Sequence, residues 1–416
     1  ANFNTILDII DKHKAGLPDT KIDSVTTNIG DLLNELNTKK KDIQNKTGKL
    51  INIVAISARN KNKKRPFKIN KKIFYSNPLK IIKEKKIDIL FEVIGTSDGI
   101  SKKIVETALR NKIHVVTPNK ALISKHGDHL SKIAEKNKVN LEFEASVGGG
   151  IPILRTIKES LATNKISKVY GILNGTCNYI LSEMESSKDT FFNVLKKAQK
   201  LGYAEPGNPK LDLNGYDALA KVKILSSLSF NKKISNKKCL MEGIENIDYK
   251  DIDIANQLNF RIKLLGITEL INNQLFERVH PCLVGKDTYI GNINGVMNAI
   301  ILKGKPVGET VLQGEGAGPG PTSSALLSDL ISILRGNIKN PFGIASHKRK
   351  SIKNYNKINY INSIYLRFEV KDKPGVLSEI SKRLAKYKIS VKRLIQTPDK
   401  KNNKATIVII THKAFE

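Results

Sequence analysis

The stretch IDILFEVIGTSDGISKKIVETALRNKIHVVTP (87–118) predicts a strand, an amphipathic helix and a second strand in immediate succession. Its two apolar runs, IDILFEVIG (87–95) and IHVVTP (113–118), are rich in the β-branched residues typical of strands that are covered on both faces. Between them, SKKIVETALRN (101–111) spaces its apolar residues by three and four, as a helix does. Strands that alternate with helices in this way indicate a parallel sheet with crossover helices.

The same alternation continues on both sides of this stretch. An earlier buried strand is predicted at INIVAIS (51–57), followed by a helix at PLKIIKEKK (78–86). A later helix at HLSKIAEKNK (129–138) leads to a strand at NLEFEAS (140–146). We therefore expect residues 1–145 to form a Rossmann-like, doubly wound α/β domain that binds a nucleotide at the carboxyl ends of its strands. Residues 1–25 match no recognisable pattern, and the placement of 1–35 within this domain stays open.

The character of the sequence changes near residue 146, where helix-rich and strand-rich stretches replace the regular alternation. A Gly/Pro-rich loop, GEGAGPGPTSSA (314–325), then opens a further helix. The later domains are predicted as an α+β catalytic and dimerisation domain (146–312), a loop and helix returning to the first domain (313–340), a polar linker (341–358) and a small βαββ tail (359–416).

The composition narrows the class of protein. A chain of 416 residues that is 40% hydrophobic can bury two or three cores, and this excludes a mainly disordered protein. No apolar run approaches the ~18 residues needed to cross a bilayer, and the first residues lack the layout of a signal peptide. Three cysteines without a CxxC pair fit a reducing compartment, so we expect a cytoplasmic protein.

The formal net charge of +32 raises the question of a polyanionic partner. The lysines and arginines are spread along the whole chain, in company with many Asn and Ile residues, rather than gathered in one stripe. No nucleic-acid-binding motif accompanies them. General composition explains the charge better than a binding surface does, and neither a nucleic acid nor a membrane is expected as a partner.

The nucleotide site is only weakly marked. A dinucleotide fold needs glycines in its first strand–helix turn, so that the backbone can approach the pyrophosphate at a helix N-terminus. We expect this strand and turn near residues 20–35, where Gly30 is the only glycine. Gly95 and Thr96, which follow another predicted strand, offer a second backbone edge for the nucleotide.

Two cations follow the predicted strand 51–57. Folds that bind NAD place an acid at this point for the ribose hydroxyls, whereas folds that bind NADP place cations there. Arg59 and Lys61 therefore favour the 2′-phosphate of NADP. A solvated basic loop is the alternative.

The segment YAEPGNPKLDLNGYDALAKVKIL (203–225) carries the densest set of ionisable side chains, including Glu205 and Asp212. Asp217 and Lys221 lie four residues apart and so share one helix face, with the acid nearer the N-terminus. An ordinary surface ion pair has the same spacing. Lys221, however, shares its stripe with apolar residues, so that burial should lower its pKa toward the range that a proton-transferring lysine needs.

Three other loops are candidates with plainer alternatives. Lys120 follows a predicted strand at the ligand-binding edge of the sheet, although most loop lysines have no such role. The loop EASVGGGIPI after Glu144 can turn its carbonyl oxygens toward a cation, or can be a tight structural turn. The stretch NGTCN (174–178) can line a carbonyl or nicotinamide pocket, or can be a turn in which Cys177 packs as a small residue.

The order of five stretches resembles that of one enzyme family. These stretches are VVTPNKALI, EASVGGGIPI, ILNGTCNYIL, YAEP…DLNGYDALAK and GAGPGPTSSALLSDL. Together they closely resemble homoserine dehydrogenase, over roughly residues 36–416, and the tail is similar to the ACT domain of many members. The resemblance implies NADPH-dependent interconversion of L-aspartate 4-semialdehyde and L-homoserine in threonine, methionine and isoleucine biosynthesis, with NAD as the alternative cofactor. It also implies a homodimer or tetramer and an amino-acid effector, such as threonine, at the tail.

The resemblance also implies roles for individual residues. Lys221 is expected to be the proton donor and acceptor, supported by Lys120 and Asp217. The substrate is expected to contact Glu205, Asp212, Thr176 and Gly175. The expected cofactor-binding residues are Gly30, Arg59, Lys61, Gly95, Thr96, Lys120, Gly316 and Gly318. A sodium ion is expected at the loop of Glu144, Val147, Gly149 and Ile151.

The sequence departs from the family pattern at three places. TTNIGD stands where the family has a glycine fingerprint of the form GLGTVG, and the acidic turn after Glu205 is lengthened to PGNP (206–209). The tail ends at THKAFE, before the second helix and last strand of an ACT domain. The alternative function is therefore a non-catalytic descendant that has lost its nucleotide turn and binds a small ligand through the tail.

Overall fold

The computed structural model describes residues 2–8, 30, 32–58, 70–207, 209–355, 360–399 and 403–415. Its contacts divide the chain into two compact units, Ala1–Lys353 and Asn354–Glu416. Within the described residues, no helix is long and apolar enough to cross a membrane.

A six-stranded parallel sheet forms the first part of the larger unit. Its strands are β1 (Asn2–Asp8), β2 (Leu50–Ser57), β3 (Phe74–Tyr75), β4 (Ile89–Glu92), β5 (His114–Val116) and β6 (Leu141–Glu142). Its helices are α1 (32–38), α2 (Lys40–Thr47), α3 (Pro78–Glu84), α4 (Ile100–Arg110) and α5 (Lys120–Asn137). The strand order β3-β2-β1-β4-β5-β6 reverses between β1 and β4, which makes the carboxyl ends of these strands the ligand-binding crevice. The Rossmann-like fold class is confirmed.

The first strand does not lie where the sequence predicted it. The structure forms β1 at Asn2–Asp8, paired in parallel with both β2 and β4, and the described part of 20–35, residue 30 and 32–35, is helical. Residues 32–38 are helical because Leu32, Leu33 and Leu36 follow a helical spacing and are all buried. Gly30 lies at the beginning of this helical stretch. The residues predicted to replace the glycine fingerprint, 26–28, lie outside the described residues.

A second six-stranded sheet follows. Its strands are β7 (Lys165–Ile172), β8 (Leu240–Met241), β9 (Phe260–Ile271), β10 (Gln274–Gly285), β11 (Met297–Lys305) and β12 (Gly308–Glu315). They lie in the order β12-β11-β7-β9-β10-β8, antiparallel except for the parallel pair of β8 and β10. The helices of this region are α6 (Ile153–Arg155), which continues as a π-helix (Thr156–Ser160), α7 (Gly175–Ser187), α8 (Phe191–Lys200), α9 (Lys210–Leu213), α10 (Tyr216–Phe230), α11 (Tyr249–Gln257) and α12 (Pro319–Leu334).

Helix α12 joins the two sheets. Its apolar residues Leu326 and Leu330 belong to the same buried cluster as Ile56 and Phe91, which come from strands β2 and β4 of the parallel sheet. The chain thus leaves the second sheet through β12 and returns to the nucleotide-binding part of the unit. Because of this return, the loop that precedes α12 is brought over the crevice at the end of the parallel strands.

The segment 341–353 is packed within the first unit, which contradicts the predicted linker over 341–358. Phe342 is fully buried, and its ring lies 5.1 Å from that of Phe143. Arg349 is 1% exposed and donates hydrogen bonds to the hydroxyls of Ser131 and Ser227, at 2.9 and 3.0 Å. This polar segment is therefore anchored by a buried guanidinium with partners, and the boundary between the units falls after Lys353.

The smaller unit has the predicted βαββ order. It contains β13 (Ile361–Asn362), β14 (Tyr365–Lys371), α13 (Val376–Lys386), β15 (Val391–Asp399), β16 (Lys404–Thr411) and β17 (Ala414–Phe415). Strands β14, β16 and β15 form an antiparallel sheet with β16 at its centre, and β13 pairs with β17. Strand β16 supplies the core of this unit, since Ile407, Val408 and Ile409 are each 1% exposed.

Candidate active site

Two lysines and one aspartate form the centre of the candidate site. Helix α10 places Asp217 and Lys221 on one face, and the Lys221 ammonium lies 2.8 Å from the Asp217 carboxylate. The same ammonium donates a hydrogen bond to the carbonyl oxygen of Leu173 at 2.6 Å. Lys120, the first residue of α5, reaches the other oxygen of Asp217 at 2.5 Å. Asp217 thus bridges one lysine from each sheet region.

Burial and charge set the protonation of this trio. Burial lowers the pKa of Lys221 below that of a free lysine, and the nearby charge of Lys120 lowers it further, while Asp217 opposes the shift. Burial alone would raise the pKa of Asp217, but the charges of Lys120 and Lys221 outweigh burial and hold that pKa well below its usual range. The charge of Asp217 raises the pKa of Lys120. Of the two lysines, Lys221 is therefore the one that gives up a proton more readily.

The N-terminus of α7 holds the carboxylates in place. Asn174 caps this helix by accepting a hydrogen bond from the backbone N–H of Cys177 at 2.8 Å. Its amide nitrogen donates to Asp212 at 2.9 Å and to Asp217 at 3.0 Å. Burial raises the pKa of Asp212, and the neighbouring charge of Asp217 adds to that shift. Sequence reasoning gave Asn174 no role of its own, although an Asn before a helix is a capping signal.

The residues after Asn174 have distinct surroundings. A Cβ atom on Gly175 would lie 2.5 Å from the carbonyl oxygen of Val296, so only glycine fits there. Thr176 donates its hydroxyl hydrogen to the carbonyl oxygen of Tyr203 at 2.6 Å. Cys177 is buried and its thiol donates to the carbonyl oxygen of Asp212 at 3.3 Å, while burial raises the pKa of the thiol. Cys177 is thus a packing residue, as the sequence indicated.

These side chains line one cavity of about 660 Å³ between the two sheet regions. The predicted site residues that line it are Lys120, Gly149, Gly175, Thr176, Asp212, Asp217, Lys221, Gly316 and Gly318. Tyr203, Val296 and Thr322 also line this cavity, and the sequence did not point to them. Glu205 is not among the lining residues, although its charge is near enough to raise the pKa of Lys120. The cavity therefore combines an apolar wall with convergent charged groups, as ligand sites do.

The residues proposed for the cofactor lie in different places. Lys120, Gly316 and Gly318 line the cavity, Gly95 and Thr96 follow β4, and Gly30 begins the helical stretch that contains α1. The backbone N–H of Gly95 faces the carboxylate of Glu92, and the hydroxyl of Thr96 lies 2.8 Å from that of Ser101. Gly316 lies directly against Gly149, where a Cβ atom would come within 2.6 Å of the Gly316 backbone. Arg59 and Lys61 lie outside the described residues.

In the loop predicted to bind sodium, the carboxylate of Glu144 is held by backbone N–H groups. Both oxygens of Glu144 accept backbone N–H groups at the start of α6, from Leu154 at 2.9 Å and Arg155 at 2.8 Å. Across the described residues, no group of three or more His, Cys, Asp or Glu side chains has the arrangement of a metal site. Backbone carbonyl oxygens are in general hard donors that suit a hard cation, whereas the side chains of the described residues lack the cluster that a transition metal needs.

Comparisons with known proteins agree over most of the chain. Residues 152–331 match the family model for homoserine dehydrogenase, 28–144 match its NAD-binding domain, and 364–416 match the ACT domain. The homoserine dehydrogenase of Neisseria gonorrhoeae is 40% identical over 82% of this chain and 80% of its own length. That of Pseudomonas aeruginosa is 35% identical over 93% of this chain and 90% of its own.

The chain belongs to the homoserine dehydrogenase family. A crystal structure of a homoserine dehydrogenase from Thiobacillus denitrificans matches 100% of this chain and 92% of its own, with a TM-score of 0.87 and 33% identity. The chain is accordingly an NAD(P)-dependent oxidoreductase that interconverts L-aspartate 4-semialdehyde and L-homoserine. Its C-terminal unit is an ACT domain, a type of domain that binds amino-acid effectors.

Proposed function

We propose that Lys221 transfers the proton at the substrate oxygen, with Asp217 and Lys120 holding it in place. The observation that carries this proposal is the bridge of Asp217 between the two lysines inside the cavity. A bound nicotinamide nucleotide supplies or accepts the hydride at the substrate carbon. Lys221 donates a proton to the oxygen during reduction and removes it during oxidation, which its lowered pKa favours. The presence of the complete trio favours this function over a non-catalytic descendant.

A matched pair of lysine variants tests this role. Lys221→Ala should lower kcat by about 10²-fold or more and leave NADPH binding close to that of the parent chain. Lys223→Ala, on the same helix but only partly buried and outside the cavity, should keep kcat within about twofold. Turnover is followed by the absorbance of the reduced nicotinamide. Retention of parental turnover in Lys221→Ala would show that the proton travels through another group.

The substrate ammonium is proposed to bind at the acidic side of the cavity. Asp212 lines the cavity and is held by Asn174, while Glu205 lies close enough to influence Lys120. An ammonium group placed between these carboxylates would point the other end of the substrate toward Lys221. Thr176 and Gly175 are proposed to contact substrate and nicotinamide, since both line the same cavity.

We further propose that NADPH is preferred over NADH, on the ground that Arg59 and Lys61 follow strand β2 where an NAD enzyme has an acid. The ratio of kcat/KM for the two cofactors measures the preference. Replacing both residues by Ala should lower kcat/KM for NADPH by about tenfold and change that for NADH little, because only NADPH carries the 2′-phosphate. An equal loss with both cofactors, or a parental preference for NADH, contradicts the proposal.

Two further ligands are proposed for the family features of the chain. A sodium ion would be held by the carbonyl oxygens of the loop Glu144, Val147, Gly149 and Ile151, whose donor type suits it. An amino acid such as threonine would be the effector of the ACT domain.

A further inference from the structure

A fully buried carboxylate lies at the carboxyl end of β4, next to the cavity but outside the catalytic trio. Glu92 is 0% exposed and accepts hydrogen bonds from two different loops. From its own loop, the backbone N–H groups of Ile94 and Gly95 donate to it at 2.9 and 3.4 Å. From the loop after β5, the hydroxyl of Thr117 donates at 2.6 Å and the amide of Asn119 at 3.3 Å.

The second of these loops leads directly to Lys120. Asn119 caps α5 by accepting the N–H of Leu122 at 3.0 Å, and its amide nitrogen also donates to the carbonyl oxygen of Thr96 at 2.9 Å. The backbone N–H of Asn119 donates to the Thr117 hydroxyl at 3.0 Å. The residue that follows, Lys120, makes the 2.5 Å ion pair with Asp217. The two side chains that orient the start of α5 are therefore both linked to Glu92.

We propose that Glu92 is a positioning residue, which fixes the loop of Gly95 and Thr96 and the Lys120 ammonium relative to one another. This inference rests on the proposed function, because it assigns those two loops to the cofactor side and the substrate side of the cavity. The two side-chain oxygens of Glu92 accept hydrogen bonds from donors in both loops at once. If glutamine replaced Glu92, the N–H groups of its side-chain amide would face groups that are themselves hydrogen-bond donors.

Displacement of Lys120 has a measurable effect on Lys221. The charge of Lys120 is one of the causes that lower the pKa of Lys221. If the ammonium of Lys120 moves away, the pKa of Lys221 rises, and the limb of the pH–rate profile that reports it moves to higher pH. Loss of folding stability alone lowers the amount of active enzyme but does not move this limb.

The main test compares Glu92→Gln with Glu135→Gln. Glu135, in α5, also accepts a backbone N–H and a hydroxyl, both from Ser346, at 2.9 and 2.7 Å, but it does not line the cavity. Both variants should melt at a lower temperature than the parent. Only Glu92→Gln should raise the Kd for NADPH by about threefold or more, lower kcat/KM by about tenfold or more, and move the pH limb upward.

A second pair keeps the test decisive if Glu92→Gln does not fold. Thr117→Val removes one donor to Glu92 and should show the same changes at smaller size, while Thr117→Ser keeps the hydroxyl and should restore parental values. Kinetics of Glu92→Gln equal to those of Glu135→Gln, or of Thr117→Val equal to those of Thr117→Ser, overturn the inference. NADPH affinity from fluorescence titration decides the role of Glu92 without turnover, so a failure of Lys221 as proton donor is recognised separately.

Discussion

Lys221 has to hold a proton in one direction of the reaction and release it in the other, and its neighbours set the pH at which it does so. Its side chain is 8% exposed, and burial is the largest cause that lowers its pKa. Asp217 opposes this shift from a distance of 2.8 Å. The balance leaves the pKa below that of a free lysine, which brings a normally cationic side chain closer to the working range of a general base.

The pH dependence of kcat should therefore differ between the two directions. Oxidation of homoserine needs neutral Lys221, so its rate should rise as pH increases through the pKa of that lysine. Reduction of the semialdehyde needs protonated Lys221, so its rate should fall over the same range. Asp217→Asn removes the negative charge that raises this pKa and should move both limbs to lower pH.

Profiles of kcat against pH in both directions check this expectation. A limb of the same sign in the two directions contradicts it, and so does an upward movement of the limb in Asp217→Asn. Because only the pH of the limb is compared, a lower kcat of that variant does not affect the comparison.

Two residues of the catalytic trio could be predicted from the sequence, because they lie close together along the chain. Asp217 and Lys221 are four apart on one helix, and the apolar stripe around Lys221 is by itself enough to indicate that this lysine is buried. The contact between Lys120 and Asp217 was not predictable from spacing, since it joins helices from two sheet regions. Glu205 was expected to face the substrate, and the structure places it outside the cavity lining.

At the scale of elements, the N-terminus of α7 contributes both to the stability of the helix and to the candidate active site. Asn174 uses its side-chain oxygen to cap the helix and its nitrogen to hold Asp212 and Asp217. Loss of a cap typically costs about 1 kcal/mol of folding free energy. Loss of the amide nitrogen also removes a hydrogen-bond donor that two buried carboxylates share, and their mutual repulsion is then less well offset.

Asn174→Ala should therefore lower both the melting temperature and kcat/KM, the latter by about tenfold. The matched control is Thr190→Ala, which removes the cap of the next helix, α8, outside the cavity. It should lower the melting temperature with little change in kcat/KM. Calorimetry and steady-state kinetics on both variants give the result, and equal kinetics in the two would contradict a role for Asn174 beyond capping.

The regular elements of the parallel sheet could be predicted because each strand is a short apolar run between amphipathic helices. Two other parts of the fold could not be predicted from such patterns. The β1 strand was expected near residues 20–35, but the leucines there have helical spacing and form α1. The segment 341–353 was expected to be a linker because it is polar, and burial of Arg349 with its partners is a tertiary effect that composition does not reveal.

At the scale of the whole molecule, one face of the second sheet remains partly open in the single chain. Tyr170 and Ile267 are paired across β7 and β9 and are only partly buried, and Val311 on β12 is 36% exposed. We propose that a second copy of the chain covers this face. Apolar residues in a row on a sheet face are better buried against another sheet than left in water.

Ile267→Glu should then halve the mass of the particle in sedimentation equilibrium, because it would place a charge in the covered face. Ile338→Glu, at an apolar position of the same unit that is 63% exposed, should leave the mass unchanged. A parent chain that sediments as a monomer, or a dimer that survives Ile267→Glu, excludes this face as the interface.

The buried Arg349 has a consequence for how the enzyme can move. Its guanidinium lies between Asp128 and Ser131 on α5 and Ser227 on α10, the two helices that carry Lys120 and Lys221. A hinge between these helices would strip a charged group of its partners in the protein interior, which is strongly unfavourable. We therefore expect α5 and α10 to move as one body while the two substrates enter and leave. The ammonium groups of Lys120 and Lys221 would then keep the spacing that the folded chain gives them.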